Sequence, residues 1–112
     1  MNPNLINNLE NMLARGQDNA LLRFSLGTAY LQQEDYANAA LHLARCVALD
    51  PLYSAAWKHY AKALAAQQLT DQAIAAYEQG LLVAQQKGDK QAEKEMRVFL
   101  KRLQKNDPSH SV

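Results

Sequence analysis

The chain has 112 residues, of which 48% are hydrophobic, with a formal net charge of +1 and one cysteine. That length supports one domain with a modest core, and so small a charge excludes a global field drawing the chain to nucleic acid or membrane. A lone cysteine excludes an internal disulfide, and no apolar run approaches the ~20 residues of a membrane span. Met1-Asn2-Pro3-Asn4 lacks the basic flank and apolar core of a signal peptide, so the expected setting is the cytoplasm. Ala and Leu dominate the apolar residues, and three prolines and four glycines interrupt the chain little, which favours packed helices. Charge is uneven: residues 1–57 hold three Lys/Arg against five Asp/Glu, and residues 58–112 nine against six.

In chain order, Leu5, Leu9, Met12 and Leu13 recur at helical spacing. Pro3 or Asn4 starts this helix and Gly16 ends it. A second helix opens near Asp18 or Asn19 and runs to about Gln33. Asp35 caps a third, which ends near Asp50 because Pro51 disfavours helix at the residue before it. Ser54 is expected to cap a fourth helix reaching about Gln68, and Thr70 a fifth that stops at Gly88. Asp89 caps a sixth ending near Lys105, and residues 106–112 lack apolar periodicity and are expected to be a disordered tail.

Between residues 20–53 and 54–87 the spacing repeats. Leu26-Gly27-x-x-Tyr30, Ala39-x-x-x-Leu43 and Asp50-Pro51 are followed, 34 positions on, by Trp57-x-x-Tyr60-Ala61-x-x-Leu64 and Ala73-x-x-x-Tyr77. Only Ala29/Ala63, Gln33/Gln67 and Ala39/Ala73 are identical, so size class carries the match: Gly27, Ala39, Ala61 and Ala73 are small, with Cys46 and Gly80 two turns after Ala39 and Ala73, and large residues surround them. The pattern resembles the tetratricopeptide repeat, a helix–turn–helix unit that stacks side by side. Arg23 stands where that family usually has a large aromatic, and Gln85 where the second unit would have proline. Leu5, Leu9 and Met12 take the register of Ala39, Leu43 and Cys46, as in the second helix of a repeat lacking its first half.

The resemblance implies an all-α, right-handed stack of about six helices in a single domain. Its parts are a half repeat at 5–16, repeats at 20–53 and 54–87, a capping helix at 89–105 and the tail. It also implies a non-enzymatic adaptor that takes a peptide or partner segment in a concave groove. On the second helix Leu21, Phe24, Thr28 and Leu31 form an apolar face apart from the repeat core. The equivalent face of the fourth helix brings Lys58 and Lys62, with His59 at the edge, so a partner with a carboxylate near an apolar anchor is expected. The same apolar surface also suits a homodimer, the alternative reading. Family members that clamp chaperone tails use cationic and Asn residues at positions held here by Phe24, Thr28, His59, Asp89 and Glu93, a set unsuited to a carboxylate ligand.

On the sixth helix Lys90, Lys94, Arg97, Lys101 and Lys105 form a basic sector, with Ala92, Met96, Phe99, Leu100 and Leu103 expected on the opposite, packed side. A solvated cap accounts for that stripe. A nucleic-acid or membrane-surface accessory is the third reading, and the absence of interleaved aromatics argues against single-stranded nucleic acid. No phosphate loop, nucleophile elbow or metal-ligand motif appears, so no catalytic residue, metal or cofactor is expected. His42 and Cys46 share a helix four residues apart, but two ligands make a poor metal site, and Cys46 reads as a packed thiol.

Overall fold

A computed structural model describes residues 3–106. Six helices occur among them, α1 (Pro3–Ala14), α2 (Ala20–Gln32), α3 (Tyr36–Leu49), α4 (Ser54–Ala66), α5 (Thr70–Lys87) and α6 (Lys90–Asn106), in an elongated body of 49 × 28 × 21 Å. Each packs on its sequence neighbour, and α2 also meets α4 as α4 meets α6. The even-numbered helices therefore form one row, with α3 and α5 behind it.

Local chemistry sets most boundaries. Asn19 Oδ1 accepts from Leu22 N at 2.8 Å, Asp35 Oδ1 from Asn38 N at 3.3 Å, and Asp89 Oδ1 from Ala92 N at 3.1 Å. Each satisfies an N-terminal amide that the helix itself leaves unpaired. Gly88 ends α5 in the left-handed region at φ 69°, as the αL cap requires. Two expected caps are not found. Ser54 and Thr70 are the first residues inside their helices, and Tyr53 and Leu69 hold the cap positions without side-chain hydrogen bonds. The Ser54 hydroxyl instead donates to Asp89 Oδ2 at 2.9 Å, joining the starts of α4 and α6. Asn106, expected in the tail, is the last residue of α6, and residues 107–112 of the expected tail lie outside those described.

The 34-residue period reappears in backbone and packing. Glu34 and Gln68 both step into the left-handed region, at φ 60° and 63°, and turn the chain after α2 and α4. Ala39 and Ala73 are wholly buried, as are Leu43 and Cys46, with Tyr77 and Gly80 buried at the matching places. A Cβ on Gly27 would lie 2.7 Å from Leu43 Cδ2, so the small residue allows α2 and α3 to close. At Gly80 the added atom would lie 2.6 Å from Met96 Sδ and 2.8 Å from Trp57 Cβ, which makes Gly80 the notch that seats α6. Without a proline at Gln85, α5 runs 18 residues, and this added length lies along α6.

Candidate partner-binding face

The row α2–α4–α6 gathers the candidate residues but divides them. Phe24 lies at the centre, its ring stacked on Tyr53 at 4.7 Å and tilted against His59 at 5.6 Å. Toward α1, Leu21, Phe24 and Thr28 join Leu5, Leu9 and Tyr53 around a cleft of about 410 Å³. Toward α6, Lys58, His59 and Lys62 join Tyr77, Glu95 and Phe99 around a smaller cleft of about 180 Å³. Leu31 lines neither, because its half-buried side chain packs on the main core cluster. One continuous apolar floor beside a cationic wall is therefore replaced by two clefts meeting at Phe24.

The cationic wall is also weaker than its sequence. Lys58 Nζ lies 3.0 Å from Glu95 Oε1, so its charge is largely answered from α6. Lys62 is exposed and has no ion pair among the described residues. Burial pushes the His59 imidazole below its ordinary pKa, Lys58 and Lys62 push it further, and Glu95 opposes them. His59 is thus neutral at pH 7, one ring nitrogen a donor and the other an acceptor.

Phe99 is a correction. Expected on the packed side of α6, it is 37% exposed, stacked on Tyr77 at 6.0 Å with the Arg102 guanidinium 5.7 Å over its ring. Ala92, Met96 and Leu100 are the buried residues of α6, and Phe99 stands at the border of that face. Burial in turn raises the Tyr77 phenol to about 12. The sequence pattern places neither Glu95 nor Phe99 beside Lys58 and His59, since the register of α6 against α4 depends on how Met96 meets Gly80.

The basic stripe is exposed along its whole length. Arg97 pairs with Glu93 at 2.8 Å, a one-turn contact of small value at the surface. Lys90, Lys94, Lys101 and Lys105 form no ion pair among the described residues. Lys105, in the last turn, complements the helix dipole.

A polar network absent from the sequence reading fills the position where Arg23 replaces an aromatic. Its guanidinium grips Asp18 at 2.7 and 3.0 Å, and Nη1 donates to His42 Nδ1 at 3.0 Å. Nδ1 is thereby the acceptor, which puts the neutral ring's proton on Nε2, 3.5 Å from Glu10 Oε1. Tyr30 stacks flat on the imidazole at 5.5 Å. Burial first, and Arg23 third, lower the His42 pKa against the pull of Glu10 and Asp18. Cys46, one turn away, donates from Sγ to Ala20 O at 3.3 Å, and burial raises its thiol to about 11. His42 and Cys46 thus have separate structural partners, and no group of three metal-binding side chains occurs among the described residues.

A further cleft of about 530 Å³ lies behind the row, between α3 and α5, with Trp57 and Tyr60 at its floor and Ala44, Ala48 and Ala75 on its walls. Its only trace in the sequence is small residues at exposed helix positions.

The sequence model of the family described as tetratricopeptide repeat matches residues 6–52 and 24–92. This chain belongs to the tetratricopeptide repeat family. The TPR repeat-containing protein PA0015 of Pseudomonas aeruginosa is 57% identical to it over 99 residues, 88% of this chain and 94% of that protein. The solution structure of protein BPP2914 from Bordetella parapertussis is 45% identical with a TM-score of 0.80, covering 96% of this chain and 92% of that one. A tetratricopeptide repeat domain protein from Salinibacter ruber, 23% identical, superposes with a TM-score of 0.75 over 85% of this chain and 96% of its own, a likeness of fold alone. The tetratricopeptide repeat stack is thus a right-handed all-helical scaffold of a class that generally binds other proteins. No helix among its described residues is long and apolar enough to cross a membrane.

Proposed function

We propose that this tetratricopeptide repeat protein is a non-enzymatic cytoplasmic adaptor that holds a partner segment across α2, α4 and α6. The α4–α6 cleft carries the reading: exposed Lys62 and neutral His59 stand between the aromatic faces of Phe24 and Phe99. A segment with an apolar side chain next to a carboxylate complements that arrangement, the side chain lying on an aromatic face and the carboxylate meeting Lys62. Lys58, already paired with Glu95, orients the wall more than it adds charge. A chaperone-tail clamp is no part of this reading, because Phe24 and Thr28 supply no cation on α2.

The test is to capture partners on the tagged protein from its native cell, then titrate a synthetic segment of the captured protein calorimetrically. Lys62→Glu is expected to weaken binding at least about tenfold, ~1.4 kcal/mol, with the melting temperature unchanged. Undiminished affinity in Lys62→Glu, with loss in Lys101→Glu instead, would move the site to the outer face of α6 and end this proposal.

A further inference from the structure

Leu5, Leu9 and Met12 of α1 hold the register of Ala39, Leu43 and Cys46 on α3 and of Ala73, Tyr77 and Gly80 on α5. On α3 and α5 those positions are buried, Ala39 and Ala73 completely, beneath the preceding helix of the same repeat. No helix precedes α1 among the described residues. Leu5 is accordingly 45% exposed, and Leu9 and Met12 are only half-buried. The neighbouring face of α2 is open as well. Ser25 has the register of His59, the residue through which α4 touches Phe24 of α2, and Leu21 beside it is 67% exposed. The 410 Å³ cleft between α1 and α2 is therefore the seat that a first helix would occupy.

The chemistry of that seat selects its occupant. α1 carries one charged residue, Glu10, whose side chain is 43% exposed but turns from Leu5 toward His42, 3.5 Å from Nε2. Its other polar residues toward the solvent, Asn4, Asn7, Asn8 and Asn11, are uncharged. A two-fold contact lays each surface against its own copy, so a charged surface opposes itself and an uncharged apolar one does not. The lysine stripe of α6 rules out that pairing at the other end of the stack, whereas α1 permits it. α1 is also a helix of the kind the seat requires, apolar on one side and without repulsive charge.

We propose that two copies associate through this end, the α1 of each lying in the α1–α2 seat of the other and covering Leu5, Leu9 and Leu21. The α4–α6 clefts stay outside the contact. The dimer is a bivalent adaptor, which strengthens attachment to any partner presenting two segments. The seat adjoins the partner groove at Phe24, while the inference rests on the α1 end and not on the groove reading.

Sedimentation equilibrium from about 5 to about 500 μM tests this, with melting curves over the same range, because dimerisation stabilises by mass action. The wild type is expected to reach the dimer mass with a melting temperature that rises with concentration. Leu5→Glu is expected to remain monomeric, and Lys62→Glu to dimerise like wild type. Asn8→Cys, on the same face of α1, is expected to cross-link on oxidation, while Gln79→Cys on the convex side is not and Cys46 stays buried. This cross-link decides the matter if Leu5→Glu fails to fold. A wild type that is monomeric at the highest concentration would overturn the proposal. So would a dimer that survives Leu5→Glu and gives no Asn8→Cys cross-link. Segment affinity reads the groove and mass reads this interface, so failure of one leaves the other standing.

Discussion

At the α6 end of the stack, Met96 is wholly buried over the Gly80 notch, and an outward row of lysines keeps the last helix in water. At the α1 end the apolar positions are half open, and a chain of polar side chains, Asp18–Arg23–His42–Glu10, ties α1 and the following turn to α2 and α3. One end is thus held by packing volume and closed by charge, the other by hydrogen-bond geometry and left apolar. The contrast shows that a repeat stack need not be capped alike at both ends. An end helix with a charged outer face is finished, whereas one with an apolar outer face calls for a neighbour.

Removing the packing anchor should produce the largest effect. Met96→Ala is expected to cost about 2–5 kcal/mol, read as a lower urea midpoint with α6 the first helix to lose amide protection. A loss below about 1 kcal/mol, small for a buried truncation, would mean that α6 is held chiefly by its polar contacts. At the opposite end Arg23→Ala leaves His42 Nδ1 without its donor in a buried place, at an expected cost of about 1–3 kcal/mol. Its protection should fall first in α1, and protection lost evenly along the chain would erase the distinction between the ends.

The third difference is one of pH. Burial holds the folded pKa of His42 below its usual value near 6.5, so the unfolded chain takes up the proton first. Stability is therefore fully present above about pH 6.5, falls as the pH drops toward the depressed folded value, and levels off beneath it. His59 acts in the same direction from the groove. Denaturation between pH 8 and pH 5 should show a shallower decline in His42→Gln than in wild type. Equal slopes would mean that the α1 end does not depend on a neutral imidazole.

Much of this architecture was legible locally. Asp35, Asp89 and Gly88 act within one turn of their own helix, so their chemistry alone predicted their roles. Ser54 and Thr70 have equally suitable side chains and were misread as caps, and the Ser54 hydroxyl is taken by Asp89, 35 residues away. Arg23 departs from the repeat pattern, and only the fold supplies its partners Asp18 and His42. The same limit applied to the groove, where periodicity identified which side of α2 was apolar but not that Leu31 would sink onto the core.

The sequence by itself determined the helices, the 34-residue period and the small residues at which they close, because these depend on backbone geometry and side-chain size within a single repeat. Tertiary structure alone decided that Glu95 answers Lys58, that Phe99 faces outward, and that the α1–α2 seat is open. Those outcomes depend on the register between helices, which is set by a few contacts distant in sequence, such as Met96 over Gly80.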